Sequence, residues 1–360
     1  MFGDSNPVVS GQQKRSYVKK LRVGVALSGG VDSTAAALLL KKHYTVTGFF
    51  MQLAQPDIEQ HIARVRGVAD TLGIPLHIVD LADAFERCVL NYFDSSYRRG
   101  LTPNPCVVCN AEIKFGLLLN AVVEAGMEKM ATGHYARLEQ SEYGFRLYKG
   151  ADATKDQSYF LSRLHQSQLS RIIFPLGGYI KESLYSYVEE CGFTSFRGSE
   201  SQDVCFLQDR KIGEYLRQRF AFIPGAIMAT DGTVLGHHTG IGNYTIGQRR
   251  GLGISAALPL YVVGIDAQLN QVIVGGEDEL YTRDLFLDDL HWTAGRRPSL
   301  TQPFQVKIRS THTGEAAELQ PAANGRMHLR FSRAQRAVSP GQFGVLYRDD
   351  EVLGAGTIVR

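Results

Sequence analysis

The stretch Val23-Gly24-Val25-Ala26-Leu27-Ser28-Gly29-Gly30-Val31-Asp32-Ser33-Thr34 constrains this chain most. An apolar run of strand length breaks into a small-residue turn and resumes as Ala35-Ala36-Ala37-Leu38-Leu39-Leu40, which predicts a buried strand, a tight loop and a helix. Two glycines let backbone N–H groups approach an anion without a Cβ in the way. Ser28, Ser33 and Thr34 add hydroxyl donors at the positive end of the helix. Such a loop suits a polyphosphate. It is not the G-x-x-x-x-G-K-[ST] loop, because no lysine follows the glycines and Asp32 stands near the helix start. The plainer alternative is a glycine-rich turn of any doubly wound protein.

Downstream, residues 44–51 predict a second strand. Ile58, Ile62, Val65, Ala69 and Leu72 fall at helical spacing, and residues 76–80 predict a third strand. Strands alternating with helices make a parallel sheet that binds ligands at the carboxyl ends of its strands, where Ser28 to Ser33 and Met51 both lie. For Met51 alone, core packing explains the residue as well. Residues 82–99 predict a helix. Two prolines in Leu101-Thr102-Pro103-Asn104-Pro105-Cys106-Val107-Val108-Cys109-Asn110 predict an extended loop presenting thiols. A helix to Glu124, a strand over 129–135 with a loop at its tip, and a hairpin over 137–149 follow. Residues 155–161 form a polar cluster feeding an amphipathic helix, and 181–191 predict another helix. Past about Arg210 glycine-rich turns dominate, and from about Leu285 short alternating runs predict a small β-barrel.

At 360 residues the chain has room for two or three domains. No apolar run in the sequence approaches the ~20 residues of a membrane span, so a soluble cytoplasmic protein with no membrane partner is expected. Lys14, Arg15, Lys19 and Lys20 predict a solvated, flexible arm over 1–20. A net charge of +3 permits a nucleic-acid partner without requiring one. Five cysteines, an odd number, fit a reducing compartment better than a disulfide scaffold.

Cys106 and Cys109 form a C-x-x-C with Cys205 far downstream. Three readings stand open. Cys109 and Cys205 meet and exchange sulfur through a persulfide and a disulfide. Alternatively, Cys106, Cys109 and Cys205 ligate an iron–sulfur cluster such as [4Fe-4S] with an open fourth position, or zinc, for which a second C-x-x-C or H-x₃₋₅-H is missing. Or all three are small core residues, as Cys88 and Cys191 are taken to be.

The motif S-G-G-V-D-S resembles the PP-loop of ATP pyrophosphatases. Together with T-P-N-P-C-V-V-C-N, I-K-F, A-T-G-H-Y, K-D-Q-S-Y-F-L, S-Q-D-V-C-F, Y-T-I-G-Q-R-R-G-L-G and P-G-Q, in order from about 22 to 347, it resembles the tRNA-specific 2-thiouridylase family (MnmA/TrmU). The resemblance implies an α/β fold: a parallel-sheet PP-loop (adenine nucleotide alpha hydrolase-like) catalytic domain over 21–210, a small central domain over 211–282 and a C-terminal β-barrel holding tRNA over 283–360. It implies ATP and Mg²⁺ bound by Ala26, Leu27, Ser28, Gly29, Gly30, Val31, Asp32, Ser33, Met51 and Gly133. Cys109 would be the nucleophile and Cys205 the persulfide carrier. Asn104, Pro105 and Cys106 would contact the target base, and His134, Lys155, Asp156, Gln157, Arg309, Ser310 and Gln342 would touch tRNA. The implied reaction is ATP-dependent 2-thiolation of the wobble uridine in the anticodon loop of Lys, Glu and Gln tRNAs, fed by an upstream persulfide donor protein. Another PP-loop activity such as amidation, or a non-catalytic Fe–S or RNA-binding module, are the alternatives.

Three features depart from the family pattern. Cys106 stands where many members carry an aspartate proposed as acid/base. The stretch after Met51 is shortened. The usual R-Y-R-Q of the barrel reads Arg309-Ser310-Thr311-His312.

Overall fold

The computed structural model describes residues 20–54, 57–194, 204–207 and 210–359. Nearly all of the expected arm, and Ser201, Gln202 and Asp203 of the S-Q-D-V-C-F motif, lie outside them.

Five parallel strands form the first sheet in the order β3-β2-β1-β4-β7: β1 (Arg22–Ala26), β2 (Thr45–Gln52), β3 (Leu76–Asp80), β4 (Lys129–Ala131) and β7 (Ile172–Ile173). Helices α1 (Val31–Lys41) and α2 (Ile58–Leu72) cross over between the first three. Val23, Val25, Val46 and Phe50 pack with Ala35, Ala36 and Leu40 on one side of this sheet, and Phe49 and Met130 pack with Phe115, Leu118 and Val122 on the other. Both faces are covered, so these strands read as continuous apolar runs. Because β1 is central, the loop after Ala26 and the loop after Ala131 emerge side by side.

The Pro-rich segment corrects one expectation. Only residues 101–104 are non-helical; Pro105 opens a helix that runs to Glu124. Proline at the first helical position loses only an N–H that is unpaired anyway, and the Asn104 side chain caps the helix by accepting from the Val107 N–H at 3.4 Å. At 20 residues this helix is long and apolar enough to cross a membrane by length and composition, contrary to the reading of the sequence. Here it buries Val107, Ile113, Phe115, Leu118 and Val122 against the sheet and its neighbours. The amphipathic helix expected after 155–161 is two single turns, Ser158–Leu161 and Gln166–Leu169.

Helix Ile212–Arg219 follows Arg210, where the sequence predicts glycine-rich turns. Next come β8 (Gly225–Ala229), β9 (Val234–His238), β10 (Tyr261–Asp266) and β11 (Gln271–Gly275), a four-stranded sheet in the order β10-β11-β8-β9 with its own core of Ile227, Val262, Val272 and Val274. Six antiparallel strands then close a barrel: β12 (Tyr281–His291), β13 (Phe304–Lys307), β14 (Glu315–Pro321), β15 (Met327–Arg336), β16 (Phe343–Arg348) and β17 (Glu351–Val359), with β12 paired to both β15 and β17. The expected hairpin, β5 (Ala136–Ser141) and β6 (Gly144–Lys149), leaves the first domain and adds to the barrel, β6 pairing with β17. Phe343, Val345 and Tyr347 of β16 share a core with Phe49 and Phe115. The barrel is thereby anchored beside the carboxyl edge of the parallel sheet.

Candidate active site

Helix α1 begins at Val31 behind Gly30, and no side chain caps it, so its first N–H groups face the loop without a side-chain acceptor. The loop is braced from inside: the Ser28 N–H donates to Ser33 Oγ at 3.2 Å, and Ser33 Oγ and Thr34 Oγ1 both donate to the Gly30 carbonyl at 3.0 Å. Gly29 sits at φ +77°, and a Cβ there would lie 3.1 Å from Arg64 Cδ. Asp32 is already held. Tyr135 Oη donates to its Oδ1 at 2.7 Å, and Lys181 Nζ to its Oδ2 at 3.2 Å.

The tip of β4 closes on this loop. A Cβ on Gly133 would lie 2.8 Å from the Asp32 carbonyl carbon and 2.9 Å from the Ser33 nitrogen, so only glycine permits the approach. Thr132 Oγ1 and His134 Nδ1 are 2.7 Å apart, and the imidazole packs against Phe115 and Phe174. Burial, then the Lys114 charge, push its pKa well below the ordinary histidine value, so His134 is a neutral imidazole. Gln157 Oε1 accepts the Tyr135 N–H at 3.0 Å. The resulting cleft, about 190 Å³, is lined by Ala26, Leu27, Ser28, Asp32, Ser33, Met51, Gly133, His134 and Gln157, together with Phe49, Lys114 and Thr132.

On the thiol side, Cys106 lies in the first turn of the 105–124 helix and Cys109 begins a π-helical stretch, Cys109–Leu118. In that register the backbone bonds i to i+5, so Lys114, five positions after Cys109, lies nearer the Cys109 side of the helix than α-helical spacing would put it. Cys205 sits on a turn whose Phe206 and Leu207 are buried against Phe85 and Phe93, and Cys109 packs on the same cluster. Desolvation pushes the thiols of the half-buried Cys106 and Cys109 up, to about 11 and about 12, and raises that of Cys205, a residue exposed at the surface. The Lys114 charge opposes burial at all three, and Cys205 interacts electrostatically with both partners. All five cysteines are free thiols. Among the described residues, no three His, Cys, Asp or Glu side chains are arranged to hold a metal ion. The three-thiolate cluster arrangement is therefore not formed here.

The remaining candidates divide. Gln342 Nε2 donates to the Thr102 and Pro103 carbonyls at 3.0 and 3.2 Å, fastening the barrel to the loop before Asn104, Pro105 and Cys106. Asp156 is turned inward: its carboxylate accepts from the Gly150 and Ser158 N–H groups and the Ser158 hydroxyl, with Lys307 Nζ at 3.7 Å. Lys155 beside it is half-buried, as are Arg309 and Ser310 on the barrel, where the Arg309 charge reaches Tyr159 and His312. Sequence reasoning missed Lys114, Tyr135 and Lys181. The first two stand inside quoted motifs, but nothing in the sequence says that Lys181 reaches Asp32 across 149 positions.

The chain matches three family models: the tRNA methyl transferase HUP domain over residues 21–209, the tRNA methyl transferase PRC-barrel domain over 213–276, and the aminomethyltransferase beta-barrel domain over 282–358. It is 49% identical over 338 residues to the tRNA-specific 2-thiouridylase MnmA of Desulfotalea psychrophila, covering 93% of this chain and 98% of that one. It is 43% identical to the protein of that name from Syntrophomonas wolfei, covering 94% and 100%, and 42% identical to that from Geobacter metallireducens, covering 94% and 96%. With a braced anion loop and three thiols that all feel the Lys114 charge, and with relatives matched over almost their whole length, this chain belongs to the tRNA-specific 2-thiouridylase family.

Proposed function

We propose that this protein is a tRNA-uridine 2-sulfurtransferase that uses ATP to replace the C2 oxygen of the wobble uridine with sulfur. The observation that carries the reading is Lys114: it lines the nucleotide cleft and its charge acts on Cys106, Cys109 and Cys205, so phosphate chemistry and thiol chemistry share one site.

The order of events follows from bonding. A uracil C2 oxygen is a poor leaving group, so it first attacks the α-phosphorus of ATP, forming an adenylated base and releasing pyrophosphate. The free N–H groups of α1 and the Ser28 hydroxyl take up the charge developing on pyrophosphate, while the Ser33 hydroxyl stays on the Gly30 carbonyl and holds the loop's shape. Asp32, the one carboxylate lining the cleft among the described residues, keeps acceptor capacity beyond its two hydrogen bonds and would help hold a Mg²⁺ bound mostly by substrate oxygens, which would supply charge neutralisation between the phosphates. The terminal sulfur of a Cys205 persulfide then forms the bond to C2, and AMP departs with the bonding pair. Cys109, as thiolate, attacks the Cys205 sulfur; the sulfur–sulfur bond breaks toward the thiolated base and a Cys109–Cys205 disulfide forms. A dithiol reductant returns both thiols, and an upstream persulfide protein reloads Cys205. Lys114 favours the thiolate that burial disfavours. Asn104, Pro105 and Cys106 flank the base, and His134, Lys155, Gln157, Arg309, Ser310 and Gln342 surround the RNA, while Asp156, turned inward, braces the turn that carries Lys155 and Gln157. An anticodon base is already unpaired, so drawing it into the cleft costs less than extracting one from a duplex. A reducing, cytoplasmic setting agrees with five free thiols.

The test is incubation with unmodified Lys, Glu or Gln tRNA, ATP, Mg²⁺ and a persulfide donor, followed by nucleoside mass spectrometry. Wild type yields 2-thiouridine; Cys205→Ser yields none while still releasing pyrophosphate. Full thiolation by Cys205→Ser would remove the carrier role, and no thiouridine from wild type would remove the function.

A further inference from the structure

A second cleft, about 450 Å³, opens away from the nucleotide site, between the tip of the β5–β6 hairpin and residues 294–299 after β12. Four arginines line it, Arg146, Arg296, Arg297 and Arg348, against two carboxylates, Glu142 and Glu351. Arg146 is spent on Glu351, its Nε donating to Oε1 at 2.8 Å. The others are less engaged. Arg348 gives Nη2 to the Ser299 carbonyl at 3.2 Å, yet its Nε is buried with no partner among the described residues. Arg296 lies 4.2 Å over the ring of Tyr143, which is 62% exposed, and Arg297 is exposed at the rim.

We infer that this cleft is a second RNA contact, binding a phosphodiester of the tRNA body while the anticodon loop occupies the nucleotide cleft. A planar guanidinium fork matches a phosphate oxygen pair, and an exposed tyrosine with a stacked arginine suits a nucleotide face. Arg348 is half-buried, and its unpaired Nε marks a guanidinium whose donors are not all used within the protein. The placement favours a polymer over a small anion. The hairpin runs back from this cleft to Tyr135 beside the nucleotide site, about 20 Å at ~3.3 Å per strand residue, a span that one RNA arm bridges. This inference rests on the tRNA reading above.

The test compares wild type with Arg296→Ala/Arg297→Ala, two exposed positions, using a full-length tRNA transcript and its isolated anticodon stem–loop across a salt series. The double variant loses about tenfold in affinity for the full-length transcript, and its slope of log K against log salt is shallower by about two, one per lost phosphate contact. Stem–loop affinity is unchanged. Unaltered full-length affinity and slope, or a parallel loss with the stem–loop, overturns the second contact. So does saturable wild-type binding of inorganic phosphate, lost in the variant, without any change in RNA affinity. If wild type binds neither RNA, the tRNA reading itself fails; if it binds both and the variant matches it, only this cleft does. Tyr143→Ala provides a second variant that leaves charge intact, with a smaller loss confined to the full-length transcript.

Discussion

Substituting Gly133 by alanine tests the convergence of the two sheet loops most sharply. The new methyl would sit 2.8 Å from the Asp32 carbonyl carbon, 2.9 Å from Asp32 Cβ and 2.9 Å from the Ser33 nitrogen. Two of these are backbone atoms of the helix start, which cannot swing aside as a flexible side chain would. Overpacking of this kind costs about 1–3 kcal/mol. If the strain is relieved by pushing the 28–33 loop away from the β4 tip, the same energy is taken from phosphate binding. At 1.4 kcal/mol per decade, ATP affinity falls about 5- to 150-fold. Gly178→Ala is the matched control, because a Cβ there meets nothing within 4 Å and its φ is not positive. Titration calorimetry with a non-hydrolysable ATP analogue reads the affinity, and a melting curve reads any strain left in the fold. Gly133→Ala with wild-type affinity and melting temperature would refute the close approach.

Four further outcomes follow from the same geometry. Lys114→Gln removes the cation that opposes burial at the three thiols, so single-turnover sulfur transfer slows about tenfold at neutral pH and its midpoint moves to higher pH; an unmoved pH profile contradicts this. Lys181→Met leaves Asp32 without its ammonium partner, and pyrophosphate release should fall at least tenfold; Tyr135→Phe removes one hydrogen bond to the same carboxylate, worth about 1.5–3 kcal/mol, and should lower it by about 10- to 150-fold. Cys106 and Cys109 are raised to about 11 and about 12 in the fold, against ~8.5 unfolded. The unfolded chain therefore loses these protons first, and stability, full below about pH 8.5, declines as pH rises toward 11 to 12; the melting temperature of Cys106→Ala/Cys109→Ala should fall less over that range. Arg146→Ala leaves Glu351, 9% exposed, without its guanidinium, destabilising the hairpin–barrel junction by about 1–3 kcal/mol in denaturant titration.

Much of the architecture was legible along the chain. Apolar runs of strand length separated by helical spacing gave the β1–α1–β2–α2–β3 succession, and alternation after Leu285 gave the barrel, because burial on two faces or one writes a period into sequence. The Pro-rich segment was misread since proline forbids helix interiors but not helix starts, and only the Asn104 cap distinguishes the two. The π register over Cys109–Leu118 has no signature of its own, so Lys114 could not be aligned with the thiols from spacing alone.

Composition and local order thus determined the phosphate loop, the parallel sheet and the types of residue available for chemistry, all of which depend on neighbours a few positions apart. Tertiary structure decided which of them meet. Asp32 with Lys181, Gln342 with Thr102, Cys109 with the Cys205 turn and the hairpin with β17 are contacts between distant segments. Such pairings are set by how packed layers fit together, and no short stretch of sequence encodes that fit.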